Sequence, residues 1–272
     1  MKFTFRVPSL ILSAIALAFL TNCAPPPAGD TEGGSSESPV ETPASPAPPK
    51  GNTEAPKAEA DADIDYMVKL GILKGRLMAG QELINADKAD LAEPLLGQPV
   101  QQVYSELEAQ LTDRKIPEFK TALTQLHELV KSQPKDTKVS EAFETAMQGI
   151  EKAIAVVPTT KLQSPEFILP VMVGLLNTAA SEYKGAVADG KITPLGYQTA
   201  HGLILYANNL YGSIAEPMTK DHAAENEAIV KALGQLEAAW PGAIPPEKPV
   251  KTPEEVESLV KAIEDNSKKI TK

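Results

Sequence analysis

Residues 64–86, IDYMVKLGILKGRLMAGQELINA, place Met67, Leu70, Leu73, Leu77 and Ile84 at spacings of three, four and seven. That is the period of an α-helix with one buried face, not the alternation of two that a half-buried strand requires. Asp61, Asp63 and Asp65 precede or open the stretch, where negative charge suits the positive end of the helix dipole, and they predict a start there. Gly71, Gly75 and Ala79 recur every four residues as a small-residue ridge. Glycine inside a helix costs about 1 kcal/mol relative to alanine, so the ridge predicts close approach by another helix, or a groove floor where a ligand nears the backbone.

The same period continues downstream, and no segment alternates convincingly over five or more residues. A short helix is expected over Ala89 to Leu96, then one opened by Pro99 and one opened by Pro117 with Phe119, Leu123, Leu126 and Val130 on its inner face. Val139, Phe143, Met147, Ile150 and Ile154 define another, ended by Pro158. Ser164-Pro165, Thr193-Pro194 and Thr252-Pro253 each join a capping residue to proline at the first helical position, and Thr252 with Glu255 makes a capping box. Pro170 predicts a kink or a true start near Leu169. His222 to Trp240 reads as one further helix, followed by a proline-rich break to Pro249. The fold class is therefore all-α: an antiparallel bundle of about eight or nine helices over residues 64–272.

Length and charge narrow the functions. The chain has 272 residues, 36 acidic against 26 basic, for a net charge of −10. Such a chain lacks the basic surplus needed to neutralise phosphates, so nucleic acid is not an expected partner. A single cysteine, Cys23, rules out an intrachain disulfide framework and a cysteine-based zinc ribbon.

Upstream, residues 24–63 carry nine prolines, eight acidic residues against Lys50 and Lys57, and no large aliphatic residue except Val40. Nothing there can form a core, and the proline runs favour extended backbone, so residues 23–63 read as a disordered tether reaching on the order of 100 Å at full extension. Before it, Lys2 and Arg6 lead into the apolar run Leu10 to Leu20, which at about 1.5 Å per residue covers roughly half a bilayer core and so reads as a signal peptide over residues 1–22. The run ends in Leu20-Thr21-Asn22-Cys23, which resembles the lipobox of bacterial lipoproteins, with Asn22 standing where that pattern usually has a smaller residue. The resemblance implies a diglyceride on Cys23, hence a membrane partner held through lipid and a domain in the bacterial cell envelope, facing the periplasm or the exterior. Two acyl chains anchor far more firmly than one, at about 0.8 kcal/mol per buried methylene.

Two further patterns concern the bundle as a whole. Gly71-Ile72-Leu73-Lys74 with Leu83-Ile84 aligns without a gap to Gly174-Leu175-Leu176-Asn177 with Ala186-Val187. Two duplicated helical halves explain this, and so does a shared helical period. The domain is similar in general style to the exported all-helical proteins of the imelysin type. Their Gly-x-His-x-x-Glu motif is missing, since His201 is followed by Gly202, Leu203 and Ile204, so neither peptidase activity nor iron binding carries over.

Candidate chemistry is sparse. Gly-x-Ser-x-Gly, a phosphate-cradling glycine loop and His-Glu-x-x-His are all missing, so no enzyme, cofactor or catalytic residue is expected, and His127, His201 and His222 show no zinc spacing. His222 with Asp221 and Glu225 reads as a first-turn charge cluster or a cation clasp. The richest place is the helix after Thr193. At about 100° per residue Tyr197, His201 and Asn208 fall within about 40° of one another at the edge of the apolar face, and Tyr183 stands on the preceding helix. They are either polar groups satisfying one another between helices or the wall of a pocket for a small ligand or metal. The expected function is a non-catalytic binding or scaffolding module with an envelope protein partner; the alternative is a periplasmic metal or small-solute binder using Tyr183, Tyr197, His201 and Asn208.

Overall fold

A computed structural model describes residues 54–188 and 190–271 of the chain. The signal peptide, Cys23 and residues 23–53 of the expected tether lie outside that range. The described residues form α1 (Glu54–Asn85), α2 (Ala89–Leu96), α3 (Gln98–Asp113), α4 (Lys120–Ser132), α5 (Lys138–Ile154), α6 (Thr159–Leu162), α7 (Pro165–Ala186), α8 (Pro194–Ser213), α9 (Ala215–Asp221), α10 (Ala223–Glu237) and α11 (Pro253–Ile270). Only α6 and α9 are shorter than eight residues, leaving nine longer helices among the described residues, against the eight or nine expected. Between α7 and α8, β1 (Val187–Ala188) and β2 (Lys191–Ile192) pair antiparallel in a two-rung hairpin, with Gly190 at a left-handed φ of 70° in its turn. The architecture is the all-α bundle that the helical period implies.

Helix α1 starts ten residues before Ile64, so the last part of the presumed tether is helical. Ala55, Ala58, Ala60 and Ala62 carry the highest helix propensity, and Pro56 falls within the first turn, where its missing N–H is not needed. Asp63 and Asp65 consequently sit inside the helix rather than at its end. Asp63 accepts from Arg114 at 2.7 Å and from Lys161 at 2.8 Å, tying α1 to the end of α3 and to α6. Asp65 accepts from Lys69 at 2.8 Å and from Gln110 at 2.9 Å. Burial raises the pKa of Asp63, but the bonds from Lys161 and Arg114 outweigh it and hold the carboxyl below its ordinary range. Helix α7 begins at Pro165 and passes through Pro170 without restarting. The capping box forms at α11, with Glu255 N–H donating to Thr252 Oγ1 at 3.2 Å and Thr252 N–H donating to Glu255 Oε2 at 2.7 Å. Ser164 and Thr193 make no such caps; their hydroxyls bond Glu166 and the Ala186 carbonyl instead.

One apolar cluster runs through the bundle. Helix α1 packs on α2, α3 and α5, and α4 closes that group against α2, α3 and α5; α7 packs on α8 and α11, and α10 closes the second group against α8 and α11. The first group closes through five helices and the second through four. Gly71 and Gly174 hold corresponding places: a methyl on Gly71 would come 2.9 Å from Leu175, and one on Gly174 would come 2.8 Å from Val68.

The halves join where α1 crosses α8. A Cβ on Gly202 would lie 2.1 Å from the Gly75 carbonyl oxygen, so the two backbones touch with no room for any side chain. Gly71 receives Leu175 and Tyr206 in the same way. The ridge is a helix-packing surface. Gly202→Ala is expected to cost about 2–3 kcal/mol, because backbone atoms cannot swing aside. Gly234→Ala on α10, where an added methyl meets nothing within 4 Å, is expected to gain up to about 1 kcal/mol. Urea unfolding of both variants beside the parent chain checks the two signs.

Candidate functional site

Trp240 to Lys251, PGAIPPEKPVK after the indole, has no regular structure and too many prolines to supply its own backbone bonds. It lies as a strap over one end of α7, α8 and α1, and their side chains hold it. Tyr183, on α7, donates to the Lys251 carbonyl at 2.7 Å, and Tyr197, one turn into α8, donates to the Gly242 carbonyl at 3.1 Å. Trp240 Nε1 donates to the Tyr197 carbonyl at 3.2 Å. The three rings pack at tilted angles, with centroids 4.8 Å apart for Tyr183 and Trp240 and 6.0 Å for Tyr197 and Trp240. Burial pushes both phenols above the ordinary tyrosine range, so they remain protonated donors at neutral pH.

His201 stands one turn after Tyr197 and is only 5% exposed. Its Nε2 meets Glu82 Oε2 of α1 at 2.7 Å, and the other oxygen, Oε1, accepts the Ala243 backbone N–H at 2.9 Å. One carboxylate therefore fastens α8 and the strap to the end of α1. Burial raises the Glu82 pKa, but the bonds from His201 and Ala243 outweigh it and hold the carboxyl below its usual range. Glu82 also opens on a cavity of about 250 Å³ between the last turn of α1 and Pro241, Gly242, Ala243 and Ile244 of the strap.

Tyr183, Tyr197 and His201 thus come together at one end of the bundle. Asn208 does not join them: it is half-buried two turns further along α8, and no hydrogen bond connects it to the other three. Sequence reasoning missed Glu82 and Trp240. Trp240 had a signal, being the only tryptophan in the chain and standing at the head of a proline-rich break; Glu82 had none, since its partner is 119 residues away. Elsewhere His127 Nε2 meets Glu93 Oε1 at 2.7 Å, fastening α4 to α2, and His222 stands just before α10, at its N-cap position. Among the described residues no three His, Cys, Asp or Glu side chains stand close enough to share a metal ion.

Residues 158–272, from just before α6 to the end of the chain, match the family described as the iron permease-associated 4-helix bundle domain. The match covers less than half of the chain and contains α7, α8, the strap and α11. No curated protein and no solved structure matches the chain.

Because Glu82 ionises below the usual range in the folded state, its contribution to stability is complete above the pH where an unfolded carboxyl titrates, about 4.3, and is lost as pH falls through the lower folded value. Glu82→Gln should lower stability by about 1–3 kcal/mol at pH 7, leaving His201 and the strap imperfectly paired. The gap from the parent should close toward pH 3, as seen in urea unfolding across a pH series.

Proposed function

We propose that this protein is an envelope lipoprotein, fixed to a membrane through lipid on Cys23, whose bundle serves a membrane iron permease as a non-catalytic docking module. The match of residues 158–272 to a permease-associated bundle carries the reading. Two observations support it. No helix among the described residues is long and apolar enough to cross a membrane, so a chain working beside a permease needs another means of attachment, which the lipobox-like Leu20-Thr21-Asn22-Cys23 would supply. The polar ends of Tyr183 and Tyr197 are engaged in holding the strap and that of His201 in holding Glu82, which suits a shaped surface better than an open ligand pocket.

Crosslinking of the intact protein in the cells that make it should recover a multi-spanning iron transporter, and deletion of its gene should lower iron uptake when iron is scarce. Cys23→Ala should move the protein from the membrane to the soluble fraction while leaving its melting temperature unchanged. Unaltered uptake together with no transporter among the crosslinked partners overturns the reading.

A second reading, capture of a metal ion or small solute, draws on the Glu82 carboxylate, which faces the cavity under the strap with His201 behind it. Calorimetric titration of the intact chain with iron should then show binding that Glu82→Gln removes. Equal heats from the two proteins dismiss it.

A further inference from the structure

Beside the Gly75–Gly202 contact the core contains polar side chains that the packing does not satisfy. Arg76 of α1 is 7% exposed and makes one hydrogen bond, from Nη2 to Glu182 Oε1 of α7 at 3.2 Å. Its Nε and Nη1 are buried with no partner among the described residues. Gln198 of α8 is fully buried, and both its Oε1 and its Nε2 lack a partner there. Buried polar atoms left without a partner are rare in folded proteins, and each asks for an explanation.

The three residues stand on α1, α7 and α8, which pack on one another and make one layer of the bundle. Gln198 precedes Gly202 by one turn, on the stripe of α8 that also carries Tyr206, and both Gly202 and Tyr206 lie against α1. Arg76 directly follows Gly75, the residue that Gly202 touches. Glu182 lies against the start of α8, since a Cβ on Gly196 would lie 2.7 Å from the Glu182 carbonyl. Glu182 also lines a cleft of about 400 Å³ between α7 and α8, together with the hydroxyls of Thr178, Ser181 and Thr193. Its carboxylate stands between Arg76 and solvent.

What can occupy this layer follows from the atoms. Arg76 offers only donors, whereas Gln198 needs both a donor and an acceptor, and Glu182 already supplies the negative charge that Arg76 requires. An anion would be repelled by that carboxylate, and an apolar group would pair with nothing. Water satisfies all of them. We propose that the α1–α7–α8 interface is an internal water site, held by Gln198 and Arg76 and filled from the α7–α8 cleft past Glu182. The joint between the halves is then a hydrated seam in an otherwise apolar core. This inference is independent of the permease reading.

A crystal structure of the protein that resolves solvent should show ordered water within hydrogen-bond distance of Gln198 and of Arg76 Nε or Nη1, and oxygen-17 relaxation dispersion should detect long-lived internal water. Gln198→Met, which keeps the volume and removes the amide that holds the water, should lower the melting temperature by about 2–4 °C. Protein groups pairing both ends of the Gln198 amide, or relaxation without long-lived water, overturn the proposal. A folded Gln198→Met protein that melts higher than the parent does so too, since the amide then had no partner to lose.

Discussion

Two glycines, Gly75 and Gly202, touch backbone to backbone, and that contact sets the distance between α1 and α8. With the two axes this close, Gly71 can receive Leu175 and Tyr206, and Glu82, two turns further along α1, comes within reach of His201. A side chain at either glycine would separate the axes and lengthen the reach from Glu82 to His201 and to the strap. The close packing at the joint and the fastening of the strap are one constraint seen at two heights along α1.

Local chemistry made most of the fold readable. Helical period and the proline starts at Pro165, Pro194 and Pro253 placed the longer helices, because these are properties of adjacent residues and survive any tertiary arrangement. The start of α1 was misread because Asp61, Asp63 and Asp65 looked like dipole partners, whereas Asp63 finds cations at Arg114 and Lys161, far away in the chain. Non-local partners leave no periodic trace.

The candidate site shows the same division. Tyr183, Tyr197 and His201 stood out as amphipathic groups at the edge of an apolar face, and the fold gathers them. Asn208 shared their angular position on the helix wheel but lies two turns from His201, and angle alone does not bring groups together. Nothing adjacent in the sequence marks Glu82 or Arg76, whose partners lie on other helices. The burial of Arg76 follows from the small residues beside it, which let other helices close over a polar position. The match of residues 158–272 adds a context for the half that holds the strap and leaves its chemistry to be read from the side chains themselves.

Helix α1 has 32 residues, so at about 1.5 Å per residue it is a rod of roughly 48 Å, and it touches helices of both halves. Any load arriving from the N-terminal side enters along the axis of that rod. It meets first the double ion pair at Asp63 and then the interlocked Gly75–Gly202 crossing, so many bonds resist in parallel, as in a lap joint pulled in shear. A load on an end helix of a bundle peels open one contact after another; α1 instead is a central beam, gripped from both sides.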